Sequence, residues 1–435
     1  MKTMIARVRR KAIKGSMTIP GSKSHTIRAI VIATLAGGKS VILNPLPSDD
    51  CLSAVSAARL FGASIVTEAD RWVVESPAGG IRVPDNVVDV GNSGTTLYFM
   101  TSMASLLPGY TVFTGDASIR RRPSTPLLDA LTQLGAFATT TRPGSKSAPH
   151  IVRGPIKSGV VKVEGNPSQY ISSLMLAAPM CDGMMTIECD NPAETPYIDM
   201  TADWMRRTGI TVDYDDKTYR YFKIAGKQSY TPFTRTIPAD WSSVAFPLAA
   251  ALGDGSEIVV ENMDFSDKQG DSAIVDHLAN MGAAIEKDTA SGVLRLKGGA
   301  PLTAIEADMA NTPDMLPIMC VVACLAKGTT VLRNVAGARK KETDRVAVTT
   351  ELLRKMGADI SATDNEIRVN GGRQLTGCPV ESYGDHRIAM AMTVAGLHAS
   401  GETTVNEAQC ASVTFPGFYD KLNNLGAGIQ LIEAE

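Results

Sequence analysis

The sequence predicts an α/β protein in which six similar β/α units are divided three plus three between two domains. The first observation is an internal repeat of about 73 residues that accounts for nearly all of the 435 residues, and internal repeats largely determine an architecture. The second is the length, which exceeds what one hydrophobic core usually serves. The third is a set of six segments that read as helices apolar nearly all round, which is typical of buried central helices.

Each repeat begins at a glycine before a short β-branched strand and ends at a glycine that follows a helix. The opening glycines are Gly38, Gly109, Gly183, Gly255, Gly328 and Gly401. The closing glycines are Gly62, Gly135, Gly209, Gly282, Gly357 and Gly426. Alanine follows five of the closing glycines, and Ile210 follows the third. The period is too long for a common solenoid unit and suits a compact β/α subdomain with two helices.

Composition and charge place the chain among ordinary soluble globular proteins, with 44% hydrophobic and 20% charged residues. The net charge of −2 gives no global basic field for nucleic acid or a membrane surface. Any bound anion must therefore be held by local groups. No apolar stretch is long enough to span a bilayer, and the N-terminal segment Met1–Arg7 lacks the apolar region of a secretory signal. We expect no nucleic-acid or membrane partner, and the protein is expected to be cytoplasmic and monomeric.

The seven cysteines show neither a metal-binding spacing nor a disulfide framework. Cys320 and Cys324 are four residues apart in an apolar run, where core packing is favoured over metal ligation. The odd number of cysteines suits a reducing compartment. The sequence therefore predicts no structural metal and no disulfide.

The sequence has neither a histidine metal-binding motif nor a complete P-loop. The five histidines have no metal-ligand spacing. His398 is predicted at a helix C-terminus, whereas His150 and His277 are predicted at the surface. The stretch 38–40 imitates the end of a P-loop, but Ala33 stands where the first glycine of that motif is required. A standard nucleotide triphosphatase is excluded on this ground.

A polar cluster stands at the predicted start of each central helix. The clusters are Lys23–Thr26, Gly91–Thr95, Asn166–Gln169, Ala239–Ser243, Thr312–Asp314 and Gly384–Arg387. The helix bodies that follow are Ile27–Ala36, Leu97–Leu106, Tyr170–Met180, Val244–Leu252, Met315–Ala326 and Ile388–His398. For any single helix, N-capping explains such residues as well as a binding role does. Six clusters at equivalent repeat positions favour binding, because helix N-termini offer N–H groups and partial positive charge to phosphate or carboxylate.

Basic residues recur beside these helix starts. Lys23 and Arg28 lie on the first helix, and the run 120–122 follows the second repeat's strand. The run 339–345 follows the fifth repeat's strand, and Arg387 starts the sixth helix. A charge run is usually a solvated face, but equivalent positions in several repeats favour anion binding. Arginine grips carboxylate and phosphate with paired N–H groups, and lysine supplies a compact charge.

Over essentially its full length the chain resembles the 5-enolpyruvylshikimate-3-phosphate synthase (3-phosphoshikimate 1-carboxyvinyltransferase) family of enolpyruvyl transferases. The matching stretches are Pro20–Ser24 with Arg28, Gly91–Thr96, Gly115–Asp116 with Arg122–Pro123, Pro196–Asp199, Lys341–Arg345 and Asp385–Arg387. Together these stretches form a highly specific pattern.

The resemblance implies two inside-out α/β domains, each of three βαβαββ-type repeats, with the active site in the interdomain cleft. Residues 21–236 are expected to form the first domain, on the shikimate 3-phosphate side. Residues 1–20 and 237–435 are expected to form the second domain, on the phosphoenolpyruvate side. The strands of residues 1–19 therefore should belong to the second domain, with crossings near Pro20–Gly21 and Thr234–Pro238.

The resemblance also implies the reaction, a step of the shikimate pathway to chorismate and aromatic amino acids. The 5-hydroxyl of shikimate 3-phosphate attacks C2 of phosphoenolpyruvate, C3 is protonated, and the intermediate then loses phosphate. No metal and no organic cofactor is implied. Asp314 would accept the hydroxyl proton, Glu342 would handle the C3 proton, and Lys23 would reach both substrates. The herbicide glyphosate would occupy the phosphoenolpyruvate pocket.

The binding residues follow from the same matching positions. Those implied for shikimate 3-phosphate are Lys23, Ser24, Arg28, Ser168, Gln169, Tyr197, Asp314 and Lys341. Those implied for phosphoenolpyruvate are Lys23, Gly94 through its backbone, Arg122, Gln169, Arg345 and Arg387. The physical reason is common to both sets, since two polyanions must be brought together and cations offset their repulsion.

Four positions depart from the best-known bacterial pattern of the family. Pro167 and Glu194 stand where serines are usual, Gly337 replaces an asparagine, and Val413 replaces a lysine near phosphoenolpyruvate. Glu194 is the least expected, because a carboxylate repels phosphate unless Thr195 takes over the contact. These positions affect the details of phosphate binding.

Two alternatives remain at this point. A related transferase acting on a UDP-amino sugar would have a reactive-loop cysteine near Ala117, but no cysteine lies between Cys51 and Cys181. The second alternative is a non-catalytic anion-binding module on the same scaffold. The chain retains Asp314, Glu342 and Lys23 together, which argues against a non-catalytic module.

Overall fold

The structure is a computed structural model that describes residues 2–434. Residues 1 and 435 of the predicted second domain lie outside it. The chain divides into two compact units, each with its own hydrophobic core. The first unit is Gly21–Ile237, and the second unit combines Met1–Pro20 with Pro238–Glu435. The chain thus passes from one unit to the other after Pro20 and after Ile237.

Helices and strands alternate along the described chain. The α-helices are α1 (Lys23–Leu35), α2 (Asp49–Leu60), α3 (Gly94–Ala104), α4 (Thr125–Gln133), α5 (Gln169–Ala177), α6 (Thr195–Arg207), α7 (Trp241–Ala250), α8 (Ala273–Asn280), α9 (Leu316–Leu325), α10 (Arg345–Lys355), α11 (His386–His398) and α12 (Phe418–Asn424). The strands of the first unit are β3 (Lys39–Leu43), β4 (Ser64–Thr67), β5 (Arg71–Glu75), β6 (Val88–Asp89), β7 (Thr111–Thr114), β8 (Phe137–Thr140), β9 (His150–Arg153), β10 (Gly159–Glu164), β11 (Met185–Asp190), β12 (Asp213–Tyr214), β13 (Tyr221–Ile224) and β14 (Thr234–Thr236). Those of the second unit are β1 (Met4–Arg9), β2 (Lys14–Thr18), β15 (Glu257–Glu261), β16 (Ala284–Asp288), β17 (Val293–Lys297), β18 (Glu306–Asp308), β19 (Gly328–Arg333), β20 (Asp359–Ala362), β21 (Glu366–Gly371), β22 (Pro379–Glu381), β23 (Glu402–Asn406) and β24 (Gln430–Glu433).

These strands form six four-stranded sheets with one common topology. In each sheet the first two strands are parallel, and the remaining neighbours are antiparallel. The orders in the first unit are β14-β3-β5-β4, β6-β7-β9-β8 and β10-β11-β13-β12. Those in the second unit are β2-β15-β17-β16, β18-β19-β21-β20 and β22-β23-β1-β24. A parallel pair needs a crossover connection, usually a helix, and three repeats, which contain α3, α5 and α9, have the continuous βαβαββ form.

Three of the sheets are completed by strands that are distant in sequence. In the first unit, β14 pairs in parallel with β3, and Arg235 lies opposite Ile42. In the second unit, β2 pairs with β15, while β1 lies between β23 and β24. The N-terminal strands therefore belong to the second unit.

The central helices of the repeats are buried, as their apolar sequences predict. Every residue of α3 and α11 is buried. Threonines in these helices satisfy their hydroxyls inside the helix, as in the bond from Thr101 Oγ1 to the Leu97 carbonyl at 2.7 Å. In the second unit α7, α9 and α11 pack against one another. Helices thus occupy the inside of each unit, and the sheets lie outside them.

The closing glycines have a structural reason for their recurrence. All six have φ between 91° and 103°, a backbone region that residues with a Cβ rarely adopt. Each ends the second helix of its repeat and turns the chain toward the next strand. This is why the repeat is visible in the sequence.

Side-chain capping is present at only some of the central helices. Ser93 accepts a hydrogen bond from the Thr96 amide, Asp240 from two amides of α7, and Asp385 from the Arg387 amide. The N-cap residue of α9 is Met315, which has no side-chain cap. The N-cap position of α9 is therefore occupied by Met315 and not by Asp314.

His150 is buried in the first unit, so the prediction of a surface position was wrong. Its Nε2 lies 2.9 Å from Thr101 Oγ1, and its ring stacks at a tilt on Phe113 with centroids 5.2 Å apart. Tertiary packing of β9 against α3 outweighs the polarity of imidazole here. His277 is half-buried, and His398 is the last residue of α11, as predicted.

The burial of His150 predicts an acid-dependent loss of stability. Burial lowers the pKa of His150 to about 4 from its ordinary 6.5. Between these pH values the unfolded chain binds more protons, so the free energy of unfolding falls as pH decreases through the window. Relative to His150→Gln, the wild-type chain should lose up to about 3 kcal/mol more between pH 7 and pH 4. Urea unfolding at several pH values measures this, and parallel stability curves for the two proteins would contradict it.

Candidate active site

Three of the predicted site residues begin central helices of the first unit. Lys23 is the first residue of α1, Gly94 of α3 and Gln169 of α5. Ser168 is the N-cap residue of α5. At these positions the backbone N–H groups and the positive end of the helix dipole are available to an anion.

Lys23 is held by a buried carboxylate. Its Nζ lies 3.0 Å from Oδ2 of Asp50, whose side chain is 4% exposed. Asp50 belongs to the first turn of α2, where a negative charge is favoured. The pair fixes the ammonium group at the start of α1.

Arg28 connects α1 to α6. Its Nε donates to Thr201 Oγ1 at 2.8 Å, one Nη donates to the Ser24 carbonyl, and the other donates to the Tyr197 carbonyl, both at 3.0 Å. The side chain lies against the ring of Phe99. Burial lowers the pKa of Arg28 to about 9. Arg28 thereby brings the predicted residues Ser24 and Tyr197 together.

The starts of α3, α5 and α6 are joined by side-chain hydrogen bonds. Gln169 Nε2 donates to Thr95 Oγ1 at 3.2 Å. Ser168 Oγ donates to a carboxylate oxygen of Glu194 at 3.1 Å, and both side chains are buried. Glu194 is the N-cap residue of α6 and has a left-handed backbone with φ of 52°. The unexpected glutamate is therefore a buried partner of a predicted phosphate ligand.

Gly94 and Arg122 lie against each other. A Cβ placed on Gly94 would be 2.7 Å from Nη1 of Arg122. The carbonyl of Pro123, the next residue, accepts hydrogen bonds from Tyr98 at 2.9 Å and Tyr170 at 2.7 Å. Burial raises the pKa of both tyrosine hydroxyls, so they remain protonated donors. These bonds hold the arginine beside the start of α3.

In the second unit, Arg345 binds three carboxylates at once. Its Nη1 lies 2.7 Å from Asp314 Oδ1, and its Nη2 lies 2.5 Å from Glu342 Oε2. Its Nε and Nη2 donate to the two oxygens of Asp385, at 2.9 and 3.2 Å. The guanidinium is 1% exposed. The two predicted proton-transfer residues are thus held by one cation.

The charge of Arg345 is stabilised by these partners. Burial alone lowers the pKa of Arg345, but the carboxylates of Asp385, Glu342 and Asp314 raise it above its ordinary value. Asp385 is fully buried and also accepts from Thr343 Oγ1 at 3.0 Å. The network orients Glu342 and Asp314 through a residue that cannot lose its proton.

Arg387 and Lys341 add positive charge around Asp314. Nη2 of Arg387 lies 3.9 Å from Asp314 Oδ2, and Nζ of Lys341 lies 3.9 Å from Asp314 Oδ1. Arg387 is 1% exposed, and its Nε and Nη1 have no hydrogen-bond partner within residues 2–434. Buried N–H groups are rarely left unsatisfied. They are suited to a bound anion.

The remaining departures from the family pattern lie in turns or bends outside the α-helices and strands. Gly337 is in the 3-10 turn Val335–Lys340, and a Cβ built on it would contact only Pro313, at 3.9 Å. Val413 ends the 3-10 turn Ala408–Val413. Pro167 follows Asn166 directly before α5. Gly337 leaves room that a larger residue could fill.

Some residues of the site were not predicted from the sequence. Asp50 was not singled out, and Thr343 and Asp385 were quoted only as parts of matching stretches. Asp385 stands at a helix N-cap position, which gave a usable signal. Asp50 acquires its partner Lys23 only through tertiary packing, so no periodicity or spacing marks it.

The part of the chain that the structure describes has neither a metal-binding cluster nor a membrane-spanning helix. No group of three or more histidine, cysteine or acidic residues there could hold a metal ion. No helix in that part is long and apolar enough to cross a membrane.

The chain is similar to known proteins of one family. A family model described as EPSP synthase (3-phosphoshikimate 1-carboxyvinyltransferase) matches residues 8–422. A 3-phosphoshikimate 1-carboxyvinyltransferase of Acetivibrio thermocellus is 45% identical over 99% of this chain and 100% of its own length. One of Methanosarcina mazei is 40% identical, with the same shares covered. A solved structure of EPSP synthase from Acinetobacter baumannii is 27% identical, with a TM-score of 0.83 over 99% of this chain and 100% of that one.

Proposed function

The chain belongs to the EPSP synthase (3-phosphoshikimate 1-carboxyvinyltransferase) family, and from this premise we propose that it transfers the enolpyruvyl group of phosphoenolpyruvate to the 5-hydroxyl of shikimate 3-phosphate. Phosphate is the second product. The observation that supports the proposal best is the pair Asp314 and Glu342, held by one buried arginine. Two positioned carboxylates can divide the proton transfers of such a reaction.

The proposed reaction has two steps. The 5-hydroxyl oxygen bonds to C2 of phosphoenolpyruvate, Asp314 takes the hydroxyl proton, and C3 receives a proton from Glu342. In the second step Glu342 takes a proton back from C3, the bond from C2 to the phosphate oxygen breaks, phosphate leaves with the electron pair of that bond, and the enol ether forms. Arg345 keeps both carboxylates in place, because it contacts each of them within 2.7 Å. Lys23 supplies positive charge to both substrates.

The binding roles are proposed residue by residue. Shikimate 3-phosphate is held by Lys23, Ser24, Arg28, Ser168, Gln169, Tyr197, Asp314 and Lys341. Phosphoenolpyruvate is held by Lys23, Gly94, Arg122, Gln169, Arg345 and Arg387. The helix starts of the first unit and the unsatisfied N–H groups of Arg387 support these roles.

Glu194 requires a modified phosphate contact. The Ser168 hydroxyl donates a hydrogen bond to Glu194. A phosphate accepting from Ser168 must therefore replace the glutamate as its partner. We assign the neighbouring hydroxyl of Thr195, at the first position of α6, to the contact that a serine makes elsewhere in the family.

One assay tests the function. Inorganic phosphate release from phosphoenolpyruvate is measured with shikimate 3-phosphate, with UDP-N-acetylglucosamine, and without an acceptor. Release that depends on shikimate 3-phosphate is expected. Release only with the amino sugar would assign the chain to the sister transferase, and no release would favour an anion-binding module.

We also propose that the protein acts as a cytoplasmic monomer. All seven cysteines are free thiols, which suits a reducing compartment. Light scattering coupled to size exclusion tests the oligomeric state, and a mass of twice 46.1 kDa would contradict it.

Gly94→Ala should weaken the binding of glyphosate more than it weakens the binding of phosphoenolpyruvate. The added methyl group would lie 2.7 Å from the guanidinium of Arg122, so the arginine must move. Glyphosate extends further than phosphoenolpyruvate in the pocket, so it has less room to adjust when Arg122 moves. Steric discrimination of this kind separates similar ligands. We expect the inhibition constant of glyphosate to rise about tenfold more than the KM of phosphoenolpyruvate, since about 1.4 kcal/mol corresponds to tenfold.

The matched control for this prediction is Ser93→Ala. Ser93 is fully buried, and within residues 2–434 its hydroxyl donates to Thr96 Oγ1 at 2.8 Å and accepts from the Thr96 amide. The control should lower stability by about 1 kcal/mol and spare both ligands. Parallel inhibition and saturation curves measure both constants. Equal weakening of the two ligands by Gly94→Ala would remove Gly94 from the phosphoenolpyruvate pocket.

A further inference from the structure

Gly115 and Asp116 match the family pattern, but the proposed reaction gives them no role. They follow β7 directly and open the loop that leads to Arg122, a proposed ligand of phosphoenolpyruvate. The neighbouring strand β6 is parallel to β7 and leads through a short turn to Gly94, a second proposed ligand. Both ligand-bearing segments therefore leave the same edge of one sheet, so contacts between the segments fix how the two ligands lie relative to each other.

The two segments approach too closely for a side chain at position 115. The amide of Asp116 donates to the Gly91 carbonyl at 2.9 Å. A Cβ built on Gly115 would lie 2.6 Å from that carbonyl oxygen and 2.7 Å from Cγ2 of Ile119. Glycine permits such an approach because it has no Cβ. The glycine of the matching stretch thus brings Asp116 against the turn before α3.

The carboxylate of Asp116 binds both segments. Its Oδ2 accepts a hydrogen bond from Nδ2 of Asn92 at 2.7 Å, two residues before Gly94. Its Oδ1 accepts from the amide of Ile119 at 2.9 Å, in the turn that leads to Arg122. Asp116 and Asn92 are both half-buried, where water competes less for a hydrogen bond. One side chain therefore joins the backbone before α3 to the turn of the following loop.

The contacts of Asp116 extend to the guanidinium of Arg122 through the turn. The Arg122 amide donates to the carbonyls of Ser118 and Ile119, both at 3.2 Å. At the other end of the side chain, Nη1 would be 2.7 Å from a Cβ on Gly94. The placement of the guanidinium against the start of α3 thus depends on the turn that Asp116 closes.

We propose that Asp116 is a positioning residue that sets the Arg122 guanidinium against the amide end of α3, so that both hold one phosphoenolpyruvate molecule. Groups that bind a ligand together must be held in place by neighbouring hydrogen bonds. Asp116 acts through Asn92 and the turn, and it takes no part in bond making or breaking. The inference rests on the proposed function, in which Gly94 and Arg122 bind phosphoenolpyruvate.

Asp116→Ala tests this role by a comparison of the two substrates. The variant should raise the KM of phosphoenolpyruvate about tenfold, because two hydrogen bonds that position its ligands are lost. The KM of shikimate 3-phosphate should stay nearly unchanged, since its proposed ligands include neither Gly94 nor Arg122. The kcat should also change little, because the proposed proton-transfer groups belong to the second unit. An equal rise of both KM values, or no rise for phosphoenolpyruvate, overturns the proposal.

Asp116→Asn is the conservative variant. It keeps an oxygen for the amide of Ile119, and the amide group of Asn92 can turn to present its own oxygen to the new NH2 group. The KM of phosphoenolpyruvate should therefore return close to that of the wild type. A KM as high as that of Asp116→Ala would show that the charge of Asp116 acts and not its hydrogen bonds, which contradicts the positioning role.

Asn92→Ala removes the bond between the segments and leaves the Ile119 bond in place. It should raise the KM of phosphoenolpyruvate by about three- to tenfold. Combined with Asp116→Ala it should add nothing, because the shared bond is already lost. A rise in the double variant equal to the product of the single ones overturns the proposal. If Asp116→Ala does not fold, Asn92→Ala decides, and an unchanged KM in that variant has the same meaning.

Asp288→Ala is the matched control. Asp288 closes a turn in the same way, because its Oδ1 accepts from the amides of Ala290 and Ser291, both at 3.2 Å. The turn joins β16 to β17 and carries no proposed ligand. The control should leave both KM values unchanged. A rise for phosphoenolpyruvate like that in Asp116→Ala would reduce the effect at Asp116 to a general loss of stability.

Failure of the proposed function is recognised separately. A wild-type chain that releases no phosphate with shikimate 3-phosphate would refute the function. The positioning role is then decided by crystal structures of the wild type and Asp116→Ala, which need no turnover. The guanidinium of Arg122 should move away from Gly94 in the variant. A guanidinium that keeps its place overturns the proposal, whatever the activity of the wild type.

Discussion

Asp314→Asn will lower kcat by about 10²–10⁴-fold, the usual contribution of a positioned general acid or base, with little change in melting temperature. Asparagine keeps an oxygen for Arg345, which lies 2.7 Å from Asp314 Oδ1, but it cannot accept the hydroxyl proton. Asparagine has nearly the same shape as aspartate, so the substitution leaves no cavity. Turnover at saturating substrate and calorimetric melting are measured on the same preparation.

The alternative to a catalytic role for Asp314 is that it caps a helix. If Asp314 only capped a helix, its loss would cost about 1 kcal/mol of stability and leave turnover intact. The helix α9 begins at Leu316, after Met315, without a side-chain cap. Asp359→Asn is the matched control, because Asp359 is 41% exposed and pairs with Arg373 at 3.2 Å. It should leave kcat unchanged, and a similar fall in both variants would show that the loss at Asp314 is not catalytic.

Arg345→Met will lower the free energy of unfolding by about 3–5 kcal/mol, because it leaves buried carboxylates without their cation. Asp385 is fully buried, and the side chain of Glu342 is 9% exposed, so water cannot replace the guanidinium fully. Catalysis should fall as well, since both proton-transfer groups lose their common support. Urea unfolding measures the first effect, and phosphate release measures the second.

Arg333→Met is the control for that prediction. Arg333 also binds two carboxylates, Glu306 at 3.1 Å and Glu366 at 2.8 Å, but its side chain is 49% exposed. Exposed ion pairs contribute about 0–1 kcal/mol. If the two variants lose the same stability, burial of the Arg345 network is not what makes it strong.

Much of the fold was predictable because it is repeated. A glycine with positive φ after every second helix leaves a regular mark in the sequence, and helices buried on all sides must be apolar all round. Both signals arise from local geometry, and both recur six times. The start of α9 was placed one residue early, at Met315, because an apolar residue at the N-cap position looks like part of the helix.

The site was predictable only where chemistry coincides with a helix start. Lys23, Gly94 and Gln169 are at first helical positions, so the repeat itself locates them. Asp50, the carboxylate beside Lys23, belongs to α2, and Asp271, the carboxylate beside Ser242, precedes α8. Their contacts depend on burial and on which polar groups lie next to them in the folded chain, and a single sequence does not display either.

The placement of β1 has a consequence for synthesis on the ribosome. Its partners, β23 and β24, are the last strands of the chain to be made. The first unit can close as soon as β14 has emerged, whereas β1 must wait with both edges unpaired until nearly the whole chain is complete. Unpaired strand edges are prone to wrong association. A translation pause, or a fusion that delays the last thirty or so residues, would therefore threaten the second unit while leaving the first one intact.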